Sequence, residues 1–254
     1  MERIPEGSLW EVEYAVAQLL RSLSSGLDVS FKLAGLDENG HLSIDVEGED
    51  LEVFASLLNR NFILAPMYTV PPTVNLILKA VVKGVDDNGA WILLDLGSST
   101  YEGFLTKEYL TAILVDGKDL PMPSLGGLFC LMEGVPLEVR ITAVDEHGRR
   151  IYCELTSLQL SLFNGWISDF LDRIIVVGVT RRQVKNALAE TGNLRRVIEI
   201  ERLGFLSHVI PCKLGYNVNS IKDSLERLLP QASMCLFSSQ RIAKRIGAPV
   251  SIKT

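Results

Sequence analysis

The chain has 254 residues, 47% of them hydrophobic and 22% charged. That composition builds buried cores and excludes a disordered or fibrous chain, and the length suits two or three domains. The opening MERIPEGSLWEVEY is acidic and has no long apolar run, so no secretory signal is expected. The most apolar stretch, near residues 158–178, is interrupted by Asp169, Asp172 and Arg173, whereas a membrane span needs ~20 clean apolar residues. A cytoplasmic protein that does not enter a membrane is the expectation.

Residues 1–72 read α-β-β-α. Leu9, Val12, Ala15, Val16, Leu19, Leu20 and Leu23 recur at helical spacing, and Gly26 follows as a cap. Residues 29–33 alternate like a half-buried strand, Glu38-Asn39-Gly40 supplies a turn, and Leu42, Ile44 and Val46 continue with period two. A second helix is predicted over 49–58, and Pro66, Pro71 and Pro72 close the unit.

Residues 73–157 are strand-rich. A β run covers 74–85, Asp86-Asp87-Asn88-Gly89 is a hairpin signal, and 91–96 is the return strand. Residues 103–105 form a short third strand. A Pro- and Gly-rich insert follows, and then 135–144 and 150–155 pair around Asp145-Glu146-His147-Gly148. Five strands in about 85 residues suit a Greek-key barrel of the OB type. Residues 158–172 are predicted as an apolar connecting helix, packing one domain on the next or binding a partner.

Residues 173–254 read as a ferredoxin-like βαββαβ domain with a short basic tail from Arg241. The predicted strands are 173–178, 197–203, 209–214 and 234–237. The predicted helices end at Glu190 and before Pro230, the first opened by a Thr180/Gln183 capping box. The fold class is therefore α+β multidomain.

The central region resembles the S-one-type RNA-binding domain. The matching residues are Val82-Lys83-Gly84-Val85, Asn88-Gly89-Ala90-Trp91-Ile92, Asp95-Leu96-Gly97, Glu102-Gly103-Phe104-Leu105, and Gly134-Val135-Pro136-Leu137-Glu138-Val139, with 149–155 as the closing strand. The resemblance implies that Trp91 and Phe104 stack on bases and that Lys79 and Lys83 meet phosphates. The family's second aromatic, before the hairpin glycine, is Asn88 here, and its frequent histidine after the third strand is Thr106. Residues 74–157 carry 7 Lys+Arg against 12 Asp+Glu, a net of −5. Base stacking, contact with a protein and plain packing all remain open for Trp91. The whole arrangement also resembles a poorly characterised archaeal family with a barrel between α+β segments. That likeness rests on Val46-Glu47-Gly48-Glu49-Asp50 and on the 203–215 segment LGFLSHVIPCKLG.

The net charge of −6 divides unevenly. Residues 173–254 hold 14 Lys+Arg and 5 Asp+Glu, a net of +9, and residues 1–172 hold 11 and 26, a net of −15. Such segregation points to a polyanion bound by the basic part, or to two parts that attract each other. Arg181, Arg182 and Lys185 fall in the first turns of a helix, where cations oppose the dipole and need another reason to be present. Arg195, Arg196, Arg241, Lys244 and Arg245 add to a candidate phosphate-binding patch, with a generic solvated surface as the alternative.

Catalytic chemistry finds little purchase. His208 and Cys212 would share a strand face about 13 Å apart, too far for a dyad that needs ~3 Å. No nucleophile elbow, Walker A loop or dinucleotide fingerprint occurs. Cys130, Cys153, Cys212 and Cys235 form no C-x-x-C pair, and His41, His147 and His208 are dispersed, so no metal is expected and the cysteines read as small buried hydrophobes. The Glu47, Glu49 and Asp50 cluster reads as an acidic helix opening. Residues 215–220 offer either helix capping by Asn219 or Ser220 or an anion site. The expectation is a non-enzymatic RNA-binding accessory protein without cofactor, acting on ribosomal or nascent RNA in translation or transcription. The alternative is a scaffold whose barrel docks a protein of that machinery.

Overall fold

In a computed structural model, residues 9–36, 42–61, 70–97, 99–145 and 150–246 are described. Glu38-Asn39-Gly40, the turn residues 146–149 and the end of the basic tail lie outside them. The N-terminal unit comprises α1 (Leu9–Leu23), β1 (Val29–Leu36), β2 (Leu42–Gly48) and α2 (Leu51–Asn61). Its two strands pair antiparallel and expose alternate residues. Val12, Val16 and Leu20 of α1 meet Phe54 and Leu58 of α2, because spacing of three and four puts them on one helix face. Asp50 accepts the Asp28 backbone N–H at 2.8 Å, so one acid of the predicted cluster ties the unit together.

The middle of the chain is a closed barrel of β3 (Ile77–Asp86), β4 (Gly89–Asp95), β5 (Thr100–Thr106), β6 (Pro136–Val144) and β7 (Ile151–Leu155), in the order β3-β4-β5-β7-β6. Every pairing is antiparallel except β5 with β7, where Gly103 faces Ile151 and Phe104 faces Tyr152. That order with one parallel closure is the five-stranded Greek-key barrel expected of an OB fold. The interior is filled by inward residues such as Ala80, Val82, Ile92, Leu94, Leu105, Val139 and Ile141. Full closure removes the free strand edges.

The insert between β5 and β6 is not a loop. It forms α3 (Lys107–Leu114), capped by Thr106, and α4 (Met122–Phe129), preceded by Pro121 and ended by Cys130 at φ +54°. Gly126 and Gly127 weaken helix propensity, but Met122, Leu125 and Phe129 bury one face, and packing outweighs propensity. The connecting helix α5 (Ser157–Ser168) is capped by Thr156.

The C-terminal domain comprises β8 (Arg173–Val177), α6 (Arg181–Glu190), β9 (Glu201–Arg202), β10 (Ser207–Pro211), α7 (Val218–Leu228), β11 (Ser233–Phe237) and α8 (Ser239–Ile246). The sheet runs β11-β8-β10-β9, antiparallel throughout, which is the split βαβ order. Two expectations are corrected. The strand expected over 197–203 shrinks to Glu201–Arg202 plus an isolated Val197–Cys212 bridge, since the Phe205 and Leu206 turn leaves the sheet to join the N-terminal core. The start of the basic tail is helical: Ile242 is fully buried while Arg241, Lys244 and Arg245 point to solvent.

Barrel and C-terminal sheet share one core. Ile175, Val177, Val209, Phe237 and Ile242 belong to the same cluster as the barrel interior and α5. Phe237 lies parallel to Phe163 at 6.2 Å and edge-on to Trp166 at 5.2 Å and Phe129 at 6.1 Å. Beside them the buried Arg173 guanidinium donates to the Trp166 and Leu171 carbonyls at 3.0 and 2.9 Å and pairs with Asp169. Gly134, at φ +88°, stands where a Cβ would strike Val177, so the close approach of the two domains requires glycine.

Candidate nucleic-acid interface

Outward residues of β4, β5 and β7 place three aromatics in one row. Trp91 is the register partner of Phe104, and Phe104 of Tyr152, so their side chains emerge on one barrel face. The Trp91 and Phe104 rings stand 4.5 Å apart, tilted by 45°. All three residues are half-buried rather than sealed in the core. Gly89 makes this possible, because a Cβ there would collide with the Leu105 carbonyl and stand 2.7 Å from Phe104 Cζ.

The β3–β4 hairpin fixes the row's edge. Asp86 Oδ1 accepts the backbone N–H groups of Asn88 at 2.8 Å and Gly89 at 3.1 Å, and its Oδ2 accepts the Trp91 indole N–H at 2.7 Å. Those donors, the indole first, hold the Asp86 carboxyl below its usual range. With its N–H engaged, Trp91 offers a ring face and no hydrogen bond to a base edge. A stacking surface of that kind is sequence-tolerant.

Tyr152 is the residue that sequence reading missed. Ile151, Cys153 and Leu155 point inward, so alternation alone turns Tyr152 outward. Its place beside Phe104 follows from the parallel closure of β7 on β5, which no local pattern announces.

The cations are distributed rather than pooled. Lys83 pairs with Glu102, Arg140 with Glu154 at 3.5 Å, and Lys107 with Asp119 at 3.1 Å. Lys79 opposes Glu138 near the far end of β3, about 16 Å along the strand from Gly84, the partner of Trp91. Arg181 and Arg182 open α6, with Lys185 one turn on. Arg181 Nε donates to the Ile200 carbonyl at 3.1 Å, and Arg182 lies over the Tyr14 ring of α1 at 5.6 Å. Arg195 and Arg196 fall beyond the other end of that 10-residue helix, about 15 Å away. Arg196 stacks on Tyr216 at 5.6 Å, and the Arg195 carbonyl accepts from Lys213.

Arg241, Lys244 and Arg245 do come together. With Lys222 they line a groove of about 850 Å³ between α4 of the barrel and the α7, β11 and α8 side of the C-terminal domain. Its wall includes Leu120, Leu128 and Met234 and no carboxylate. Among the described residues, none of Arg241, Lys244 and Arg245 makes an ion pair, while Lys222 meets Glu226 at 2.5 Å. At the neighbouring start of α7, the Asn217 side chain accepts the Ser220 N–H at 3.2 Å. The cap is therefore Asn217 rather than Asn219 or Ser220.

His208 and Cys212 are both buried within the sheet. His208 Nε2 donates to the Val179 carbonyl at 2.9 Å, and burial pulls its pKa down to about 4. Burial likewise pushes the Cys153 and Cys212 thiols up to about 12. Among the described residues there is no cluster of three metal-ligating side chains and no helix long and apolar enough to cross a membrane.

Fold and surface together define an OB-type barrel with a half-buried aromatic row, fused to a split βαβ domain. The latter matches the family described as the DUF2110 C-terminal domain over residues 171–236, about a quarter of the chain. No curated protein matches the chain. Among solved structures it is similar to GSP13 from Bacillus subtilis, at 20% identity and TM-score 0.27, covering 36% of this chain and 62% of that one. It is similar to a chain of the a/eIF2alpha–aDim2p–rRNA complex from Pyrococcus horikoshii OT3, at 17% identity and TM-score 0.26, covering 48% and 64%. It is also similar to the intact alpha subunit of aIF2 from Pyrococcus abyssi, at 13% identity and TM-score 0.27, covering 68% and 98%. The chain thus spans less than two thirds of the first two. Likenesses this distant add nothing to what the strand order already establishes.

Proposed function

We propose that this is a non-enzymatic, cytoplasmic RNA-binding accessory protein of the translation or transcription machinery, acting on ribosomal or nascent RNA. The observation that carries the reading is the half-buried row Trp91–Phe104–Tyr152, unable to read base edges through the indole. Three adjacent rings suit successive bases of a single strand. The barrel's Lys83, Arg140 and Lys107 already have acidic partners. Phosphate affinity must therefore come largely from cations elsewhere, of which the α8 set is the most concentrated.

Fluorescence anisotropy with a labelled single-stranded RNA of about 12 nucleotides tests this. Trp91→Ala and Tyr152→Ala are each expected to weaken binding by about 1–3 kcal/mol, roughly 5- to 150-fold. Charge reversal at Arg241, Lys244 and Arg245 is expected to lower the slope of log K against log salt by about one unit for each phosphate no longer neutralised. The matched triple reversal at Arg181, Arg182 and Lys185 measures the share carried by α6. Affinity unchanged by the aromatic variants would overturn the role of the row, and absence of RNA binding at ~50 mM salt would overturn the whole reading.

The net charge of −5 over residues 74–157 favours a second reading, in which the same row docks a protein. It is distinguished by partner capture that is lost in Trp91→Ala, indifferent to salt, and accompanied by no RNA.

A further inference from the structure

The cationic groove contains a feature that the RNA reading does not use. Cys235, on β11, lines it and is partly exposed, while Cys130, the left-handed cap residue of α4, is fully buried behind it. The two thiols, 105 positions apart in sequence, neighbour each other across the seam between barrel and C-terminal domain, where Cys235 packs against the core cluster that holds Cys130. Cys235 also donates to the Gly127 carbonyl at 3.6 Å. Lys222, Arg241, Lys244 and Arg245 surround the opening.

We propose that Cys235 and Cys130 form a peroxide-oxidisable dithiol site, in which Cys235 is the attacking thiol and Cys130 the resolving one. A reactive thiol needs access, a cationic setting and a second thiol within reach, and this pair has all three. The neighbouring Cys130 thiol first, and then Lys222 and Arg241, favour the Cys235 thiolate and draw its pKa below the ordinary thiol value. Burial holds the Cys130 thiol well above it. Access separates the two roles, since Cys235 lines the groove and Cys130 is fully buried behind it. Cys153 and Cys212 are buried with pKa values pushed up to about 12, and they serve as internal controls.

The Cys235 thiolate attacks one oxygen of hydrogen peroxide. An S–O bond forms, the O–O bond breaks, and the hydroxide released takes up a proton to leave as water. Cys235 becomes a sulfenic acid. The Cys130 sulfur then attacks the Cys235 sulfur. The S–S bond forms, the S–O bond breaks, and the departing hydroxide leaves as a second water with the Cys130 proton. Peroxide is the two-electron oxidant, and the two thiols are oxidised together to one disulfide. That bond would tie the C-terminal end of α4 to β11, fastening the groove's two walls together.

The test uses the full chain at pH 7.5 with hydrogen peroxide, followed by intact mass and peptide mapping. The expected product is 2 Da lighter through a Cys130–Cys235 bond, with Cys153 and Cys212 still reduced. In unoxidised protein, alkylation of Cys235 is expected to be more than about 10-fold faster than that of Cys153 or Cys212. Cys130→Ser is expected to stop at a dimedone-trappable sulfenic acid on Cys235, and Cys235→Ser to give no adduct at Cys130. Circular dichroism checks that both variants remain folded. A Cys235 alkylated no faster than the two buried controls, or a peroxide-treated chain that keeps all four thiols, overturns the proposal.

Discussion

His208 gives a pH dependence whose size follows from its surroundings. It sits at the centre of the C-terminal sheet with no exposed surface, its neutral ring donating to the Val179 carbonyl. Burial is the main cause of a pKa of about 4, and Arg202 and Arg181 nearby add to it. In the unfolded chain the value returns to about 6.5, so between these values the unfolded state binds the extra proton. A base depressed by folding contributes full stability above about pH 6.5 and loses it as pH falls toward 4. The difference is about 2 kcal/mol at pH 5 and approaches about 3.4 kcal/mol below pH 4. Urea unfolding followed by tryptophan fluorescence at pH 7 and pH 5 measures it. His208→Gln keeps a donor for Val179 but does not titrate. It is expected to be less stable than the wild type at pH 7 and to lack this component of the loss on acidification. Equal losses in the two proteins between pH 7 and pH 5 would show that His208 is not held neutral by burial.

Two further outcomes follow from the packing. Phe237→Ala removes the ring that Phe129, Phe163 and Trp166 surround. It is expected to destabilise by about 3–5 kcal/mol and to shift barrel and C-terminal domain in one thermal transition; separate transitions with the barrel unmoved would refute the shared core. Gly89→Ala drives a methyl into the Leu105 carbonyl and the Phe104 ring. A lowered melting temperature, equivalent to at least about 2 kcal/mol, is expected by differential scanning calorimetry, and an unchanged one would mean the hairpin is not constrained there.

The barrel was legible because its signals are local. Asp86 to Gly89 is a turn by its own chemistry, and β3, β4, β6 and β7 carry apolar side chains in β-type runs. The Thr180 and Gln183 capping box is likewise local, and both of its bonds form. The missed elements depend on distant partners. Helix α4 carries Gly126 because Val85 packs against it, where a Cβ would already stand 3.3 Å from Val85 Cγ2. Strand β9 is short because Leu206 is needed in the N-terminal core. The same division holds for the interface. Trp91 and Phe104 are visible from the hairpin and the third strand, whereas Tyr152 and the Cys130–Cys235 pair exist only once the chain has closed on itself.

The charge asymmetry resolves into distinct uses. Arg173 belongs to the core through Asp169, Arg182 is spent on the Tyr14 ring of the acidic N-terminal unit, and Arg196 rests on Tyr216. These contacts restrict where each guanidinium points, so net charge alone overstates the freedom of the last third to meet phosphate. The α8 cations are different: they stand on a helix fixed by the buried Ile242, facing a groove whose opposite wall is the barrel's own α4. Because the core continues from barrel to sheet, that groove and the aromatic row are held on one packed body rather than on tethered domains. A strand engaging both would therefore meet preset positions. If RNA binds as proposed, the common core spares it the cost of ordering two mobile domains.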